Sequence, residues 1–340
     1  MNVLIRILSV AILLGSATHL HNANASELPS NSVGFDVEQV GTASGPATVA
    51  IWYPTSGVPQ PNRIPGFGVL KVAPKGAVTG SHLPLILISH GNGGSSLGHV
   101  DLAMALASAG FVVAAPTHPG DNYADVSGQG SAALYSRRVE QLHATLDYML
   151  GRWSSASSID QNRIGAYGMS AGAFTVLALA GGTPKMEVVS SHCRTNPEFI
   201  CRALAEVKSP LLGNAEGAGT FQADSRIKAI SIAAPGLGFT FEGGGLRNVR
   251  IPVQVWVGDR DDTVPAATNA SIIEQELDGR AEVHVVHGAA HLSFLAPCGE
   301  VKLPQICTDP EGFDREAAHA AMNADILRFF QVQLDKSATR

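Results

Sequence analysis

Ser170 stands between two glycines, in the order Gly168-Met169-Ser170-Ala171-Gly172, where an apolar run ends and a small-residue apolar stretch begins. A serine at such a turn from strand to helix exposes its oxygen as a nucleophile, and glycines flank it because neighbouring backbone crowds the turn. In a chain with 36 glycines the five residues alone could be an ordinary tight turn, so the strand before them and the helix after them carry most of the weight. A serine hydroxyl is also a poor nucleophile by itself. It needs a base to take its proton and a third group to orient that base.

Both partners are available downstream, in the order serine, acid, histidine. Asp261 sits in Gly258-Asp259-Arg260-Asp261-Asp262-Thr263-Val264-Pro265, just past an apolar run, with Asp259 and Asp262 as local competitors. Pro265 can open the next helix at its first position. Of the 12 histidines, His291 lies in Gly288-Ala289-Ala290-His291-Leu292-Ser293-Phe294, where small residues let an imidazole swing toward the serine. His287 ends the preceding strand, His284 lies inside it, and His118 is the main rival elsewhere. An oxyanion formed at the serine would need backbone donors. The Ala171 N–H is one; the Asn92 N–H, within His90-Gly91-Asn92-Gly93-Gly94, is the other. No Lys follows that glycine-rich loop in phosphate-binding spacing. His90, Gly91, His118 and Met169 are candidates for lining a substrate pocket, His118 together with Asp121 and Asn122.

These residues gather where strands end. From 83 onward, apolar runs (83–90, 111–118, 163–170, 227–235, 251–259, 281–289) alternate with helical stretches near 98–109, 136–150, 171–181, 266–278 and 314–333. Strands apolar throughout belong to a sheet covered on both faces, and strand–helix alternation makes that sheet mostly parallel and doubly wound. Ligands bind beyond the carboxyl ends of such strands, where the reactive residues fall. Residues 26–80 read as an antiparallel hairpin followed by a long surface loop over 56–80. Residues 183–226 interrupt the rhythm and are expected to be an insertion covering the site. No linker divides 26–340, which is expected to be one domain.

At 340 residues, with 45% hydrophobic and 15% charged residues, the chain can bury a large core. A net charge of −6 with scattered Lys and Arg argues against nucleic acid as a partner. Residues 1–25 combine Arg6, an apolar stretch over 7–14 and Ala23-Asn24-Ala25, which is a secretory signal peptide pattern with Ser26 as the mature start. The apolar stretch falls well short of the ~20 residues that span a bilayer, so no stable membrane anchor is expected. The chain is expected to be exported to the periplasm or the medium. Four cysteines suit that compartment; pairing Cys193 with Cys201 and Cys298 with Cys307 is the simplest of three connectivities. Their spacing does not suit a metal site, and the chemistry requires no metal or cofactor.

The motifs SHGNGG, VVAAPTHPGDN, YGMSAGA, GDRDDTVP and GAAHLSFLAPC, in this order, resemble the exported branch of the α/β-hydrolases called predicted dienelactone hydrolases, related to platelet-activating-factor acetylhydrolases. The resemblance covers roughly 34–333 and includes IWYP and the tail CTDPEGFDREAAH. It implies an α/β-hydrolase fold, with Ser170, Asp261 and His291 as triad and Asn92 and Ala171 as oxyanion hole. It also implies a Cys298–Cys307 bridge. Dienelactone hydrolases use cysteine where this elbow carries Ser170, so a serine carboxylesterase is expected, acting on a small-molecule or polymeric ester. The alternatives are a phospholipid-type acetylhydrolase, a polyester or aromatic ester hydrolase, a peptidase, and a non-catalytic binding protein on the same scaffold.

Overall fold

The computed structural model describes residues 31–64, 68–299 and 303–338. The expected signal segment, 1–25, lies outside the described residues. Ten strands join in one sheet: β1 (Ser32–Thr42), β2 (Gly45–Thr55), β3 (Gln60–Ile64), β4 (Gly68–Pro74), β5 (Leu83–Ser89), β6 (Val112–Thr117), β7 (Ile159–Met169), β8 (Ile227–Ala233), β9 (Val253–Gly258) and β10 (Ala281–Val286). Their spatial order is β10-β9-β8-β7-β5-β6-β2-β1-β4-β3. The run from β10 to β6 is parallel throughout, whereas β2 pairs antiparallel with both β6 and β1. Strand β7, which leads into Ser170, therefore lies inside the parallel part, flanked by β5 and β8.

Every residue of β5 is buried, as a strand covered on both faces requires. Alternation then divides it: Leu85 and Leu87 join one core cluster, Ile86 and Ile88 the other. The first cluster holds the buried faces of α2 (Leu134–Gly151), α3 (Ala171–Leu179) and α6 (Ala270–Leu277). The second holds those of α1 (Val100–Ser108) and α8 (Arg315–Ala338), whose Phe330 packs against Gly165 of β7. Each such buried Leu, Ile or Phe contributes about 1.5–3 kcal/mol of transfer free energy. This is the expected doubly wound α/β-hydrolase architecture.

Two expectations change. The stretch 56–80, expected as a long surface loop, contains β3 and β4, which extend the sheet at its antiparallel edge. Val72 and Ala73 are buried while Val69 is exposed, so one end of β4 joins the core. The helix expected near 266–278 is split: one tight turn covers Ala266–Thr268, and α6 begins only at Ala270. Asn269 causes the break, since its side chain donates to the Pro265 carbonyl at 3.1 Å and accepts from Gly238 N–H at 2.9 Å.

Residues 183–226 carry α4 (Val189–Thr195) and α5 (Phe199–Glu206), joined by the Cys193–Cys201 disulfide. Glu198 anchors the segment by accepting from Thr268 Oγ1 and Asn269 Nδ2, and Phe221 meets Phe174 of α3 edge-on. The second disulfide joins Cys298 to Cys307, the last residue of the short helix α7 (Pro304–Cys307).

Candidate active site

Ser170 occupies the junction between β7 and α3 with φ 57° and ψ −119°. A side chain held at such a positive φ costs about 1–3 kcal/mol, and it persists only where the surroundings over-determine it. Here Ser170 N–H donates to the Ala233 carbonyl of β8 at 3.0 Å, and Gly236 N–H donates back to the Ser170 carbonyl at 3.2 Å. The two glycines are required by space. A Cβ on Gly168 would strike the Gly172 backbone, and one on Gly172 would strike the carbonyl of Ser89 at the end of β5. The turn is thus wedged between neighbouring strand ends, and it leaves the Ser170 hydroxyl partly exposed.

His291 Nε2 lies 3.0 Å from Ser170 Oγ, and His291 Nδ1 lies 2.8 Å from Asp261 Oδ2. A carboxylate can only accept, so the ring proton sits on Nδ1 and the Nε2 lone pair faces the serine hydroxyl. Asp261 is itself held: its Oδ1 accepts from the N–H groups of Thr263 and Val264, both at 3.0 Å. The Asp261 and His291 side chains are 3% and 10% exposed, which keeps water from competing for their hydrogen bond. His291 opens a single helical turn, His291–Phe294, after β10. The competitors go elsewhere. Asp259 pairs with His287 at 2.9 Å on the surface, and His284 stacks on Trp256 within the β9–β10 edge.

The loop after β5 abuts the elbow: a Cβ on Gly91 would come within 3.4 Å of Ser170 Cβ. Asp121 holds this loop by accepting from Gly93 N–H at 2.9 Å and from Asn92 Nδ2 at 2.6 Å. Asp121 is in turn paired with Arg138 of α2 at 2.5 Å, both side chains fully buried, and Arg138 also donates to the His90 carbonyl. The N–H groups of Asn92 and Ala171 have no acceptor among the described residues.

His90 and His118 do not line an open pocket. They are 1% and 0% exposed, with His118 bonded to Ser89 Oγ at 2.9 Å and to Gln141 Oε1 at 2.7 Å. Burial, reinforced by the Arg138 charge, pushes both imidazoles well below their ordinary range, so they are neutral supports beneath the loop. Met169 is likewise buried, its sulfur against Gly91, because the residue before the serine points into the sheet. Arg138 was not legible as a site residue. It lies on a helix at no motif spacing, and only its full burial beside Asp121 marks it.

Two clefts, one bordered by His82, Phe111 and Arg163 and one by Val33, Pro59 and Met104, have none of Ser170, Asp261 and His291 in their walls. Among the described residues, no group of three or more His, Cys, Asp or Glu is arranged to hold a metal ion, and no helix is long and apolar enough to cross a membrane.

Residues 72–141 match the family model for platelet-activating factor acetylhydrolase, isoform II. That segment contains the loop with Asn92 and the Asp121–Arg138 pair that holds it. The chain is similar in structure to a ferulic acid esterase from Streptomyces cinnamoneus, with a TM-score of 0.58 over 93% of each chain at 17% identity, which is a likeness of fold. No curated protein matches the sequence. Fold and segment together agree with a carboxylic ester hydrolase resembling the acetylhydrolases.

Proposed function

We propose that this chain is an exported serine carboxylesterase working through Ser170, His291 and Asp261. The observation that most supports this reading is the continuous hydrogen-bonded relay from Ser170 Oγ through both nitrogens of His291 to Asp261, set on an elbow held at positive φ. His291 Nε2 takes the serine proton as Oγ attacks the ester carbonyl. The negative charge on the carbonyl oxygen is met by the Ala171 and Asn92 N–H groups and by the positive end of α3. Collapse expels the alcohol, which receives the proton from His291, and leaves an acyl group on Ser170. Water, deprotonated by the same imidazole, then releases the acid. Asp261 keeps the ring in the required tautomer and stabilises its charged form.

Export is supported by the signal-like pattern of 1–25 and by the two disulfides. Two ester classes follow from the likenesses. The matched segment favours a phospholipid-type acetyl ester; the fold-level similarity to a ferulic acid esterase adds aromatic esters. Purified protein is tested with p-nitrophenyl esters of graded acyl length and with a fluorophosphonate probe. Turnover with labelling at Ser170, both abolished in Ser170→Ala, is expected; absence of both in the intact chain would overturn the proposal.

A further inference from the structure

The turn carrying His291 is gripped from behind by a second carboxylate–imidazole pair, and we propose that Asp101 and His319 are positioning residues that hold the His291 ring in reach of Ser170. The inference rests on the serine-esterase reading given above. His319, on α8, places Nδ1 2.6 Å from Asp101 Oδ2 and Nε2 2.9 Å from the backbone carbonyl of Ser293. Asp101, in the first turn of α1, also accepts from Asn323 Nδ2 at 2.7 Å. His99 adds a hydrogen bond to the backbone of Phe294, the next residue of the same turn. Two helices from one side of the sheet thus converge on two successive residues of His291–Phe294.

The two imidazoles differ in kind. His291 has one obligate acceptor and one hydroxyl as partners, so its Nε2 is available as a base. Both partners of His319 can only accept, so both bonds form only when each ring nitrogen carries a proton. Desolvation opposes the charge on Asp101, but the hydrogen bonds from His319 and Asn323 outweigh it and hold the carboxyl below its ordinary value.

A third tie acts on the same residue from outside. Ser293 Oγ donates to Asp309 Oδ1 at 2.7 Å and accepts from Ala290 N–H at 3.1 Å, while Arg315 Nε donates to Asp309 Oδ2 at 2.9 Å. Stability alone does not account for this polar set. His99 Nε2, Tyr167 Oη and Asn323 Oδ1 are buried without a hydrogen-bond partner among the described residues, and apolar side chains of similar shape would avoid that penalty. What the set supplies is direction: it fixes the backbone from which the His291 ring projects.

The test compares His319→Leu, His319→Gln and Asp101→Asn in the full chain, reading kcat and KM on p-nitrophenyl acetate beside the melting temperature. In His319→Leu, kcat should fall about ten- to a hundredfold with KM little changed, because a displaced base impairs the chemical step and not ester binding. His319→Gln keeps a donor for the Ser293 carbonyl and should recover most of the loss. A folded His319→Leu with undiminished kcat, or a glutamine variant as slow as the leucine one, overturns the proposal. Where His319→Leu does not fold, Asp101→Asn decides: lower kcat at unchanged KM supports the clamp, and unchanged kcat removes it. Should the unaltered protein hydrolyse no ester, the esterase reading fails and the clamp is judged by proton NMR of the His291 Nδ1–H bonded to Asp261. That resonance should broaden in His319→Leu and persist in His319→Gln; if it responds to neither, the clamp is wrong.

Discussion

Two carboxylate–imidazole pairs stand side by side at the ends of β9 and β10, and their hydrogen bonds are nearly equal: 2.9 Å for His287 with Asp259 and 2.8 Å for His291 with Asp261. Their surroundings are opposite. The His287 and Asp259 side chains are 86% and 40% exposed, against 10% and 3% for His291 and Asp261. Water and salt compete for the outer bond, and its histidine has no nucleophile on the far nitrogen among the described residues. The inner bond is shielded, its carboxylate is fixed by two backbone N–H groups, and its imidazole faces Ser170. Bond length therefore does not distinguish the proposed base from a surface ion pair. Enclosure and the third partner do.

The sharpest way to break this contrast is to delete each imidazole. His291→Ala should lower kcat about 10⁵–10⁶-fold, as removal of a residue that acts in a unit does, while His287→Ala leaves kcat unchanged. Steady-state kinetics on a p-nitrophenyl ester checks both, and a reversed result would assign the base to the outer pair. Next come the carboxylates. Asp261→Asn should cost about 10⁴-fold in kcat by favouring the wrong tautomer of His291, and Asp259→Asn should have no such effect.

A third comparison sets enclosure against exposure in stability. Arg138→Met would leave Asp121 charged, buried and unpaired, at a cost of about 3–5 kcal/mol, and would loosen the loop bearing Asn92. Urea denaturation should show that loss, whereas Asp259→Asn should barely move the midpoint. The smallest effect concerns pH. The ordinary imidazole value is 6.5, and burial with the Arg138 charge holds His90 and His118 below it in the fold. Below about pH 6.5 the unfolded chain binds protons that the folded chain refuses, so stability falls as pH drops from there toward the folded values. Urea midpoints followed from neutral pH into acid should show this slope, and His118→Asn should flatten it.

Much of this was legible in the linear order of residues. The apolar runs, the glycine spacing around Ser170 and the order serine, acid, histidine depend on local conformation and strand polarity, which neighbouring residues dictate. Asp259 and Asp261 could be ranked but not separated, since both follow the same strand within three residues. His90 and His118 could be placed at strand ends, yet not beneath the loop, because burial depends on what α2 lays over them. The strands within 56–80 were not legible because turn-forming residues surround them and β4 buries only part of its length, between β1 and the edge strand β3.

What the sequence alone determined is the backbone plan from 83 onward: which segments become strands, where the tight turn must fall, and which reactive side chains reach one edge of the sheet. Tertiary structure decided the pairing. Ser170 and His291 are 121 positions apart, Asp261 and His291 are 30 apart, and Asp101 lies 218 residues before His319. Which of several similar groups becomes shielded and bonded is settled by packing distances and desolvation, quantities that exist only once the sheet and its helices have closed around them.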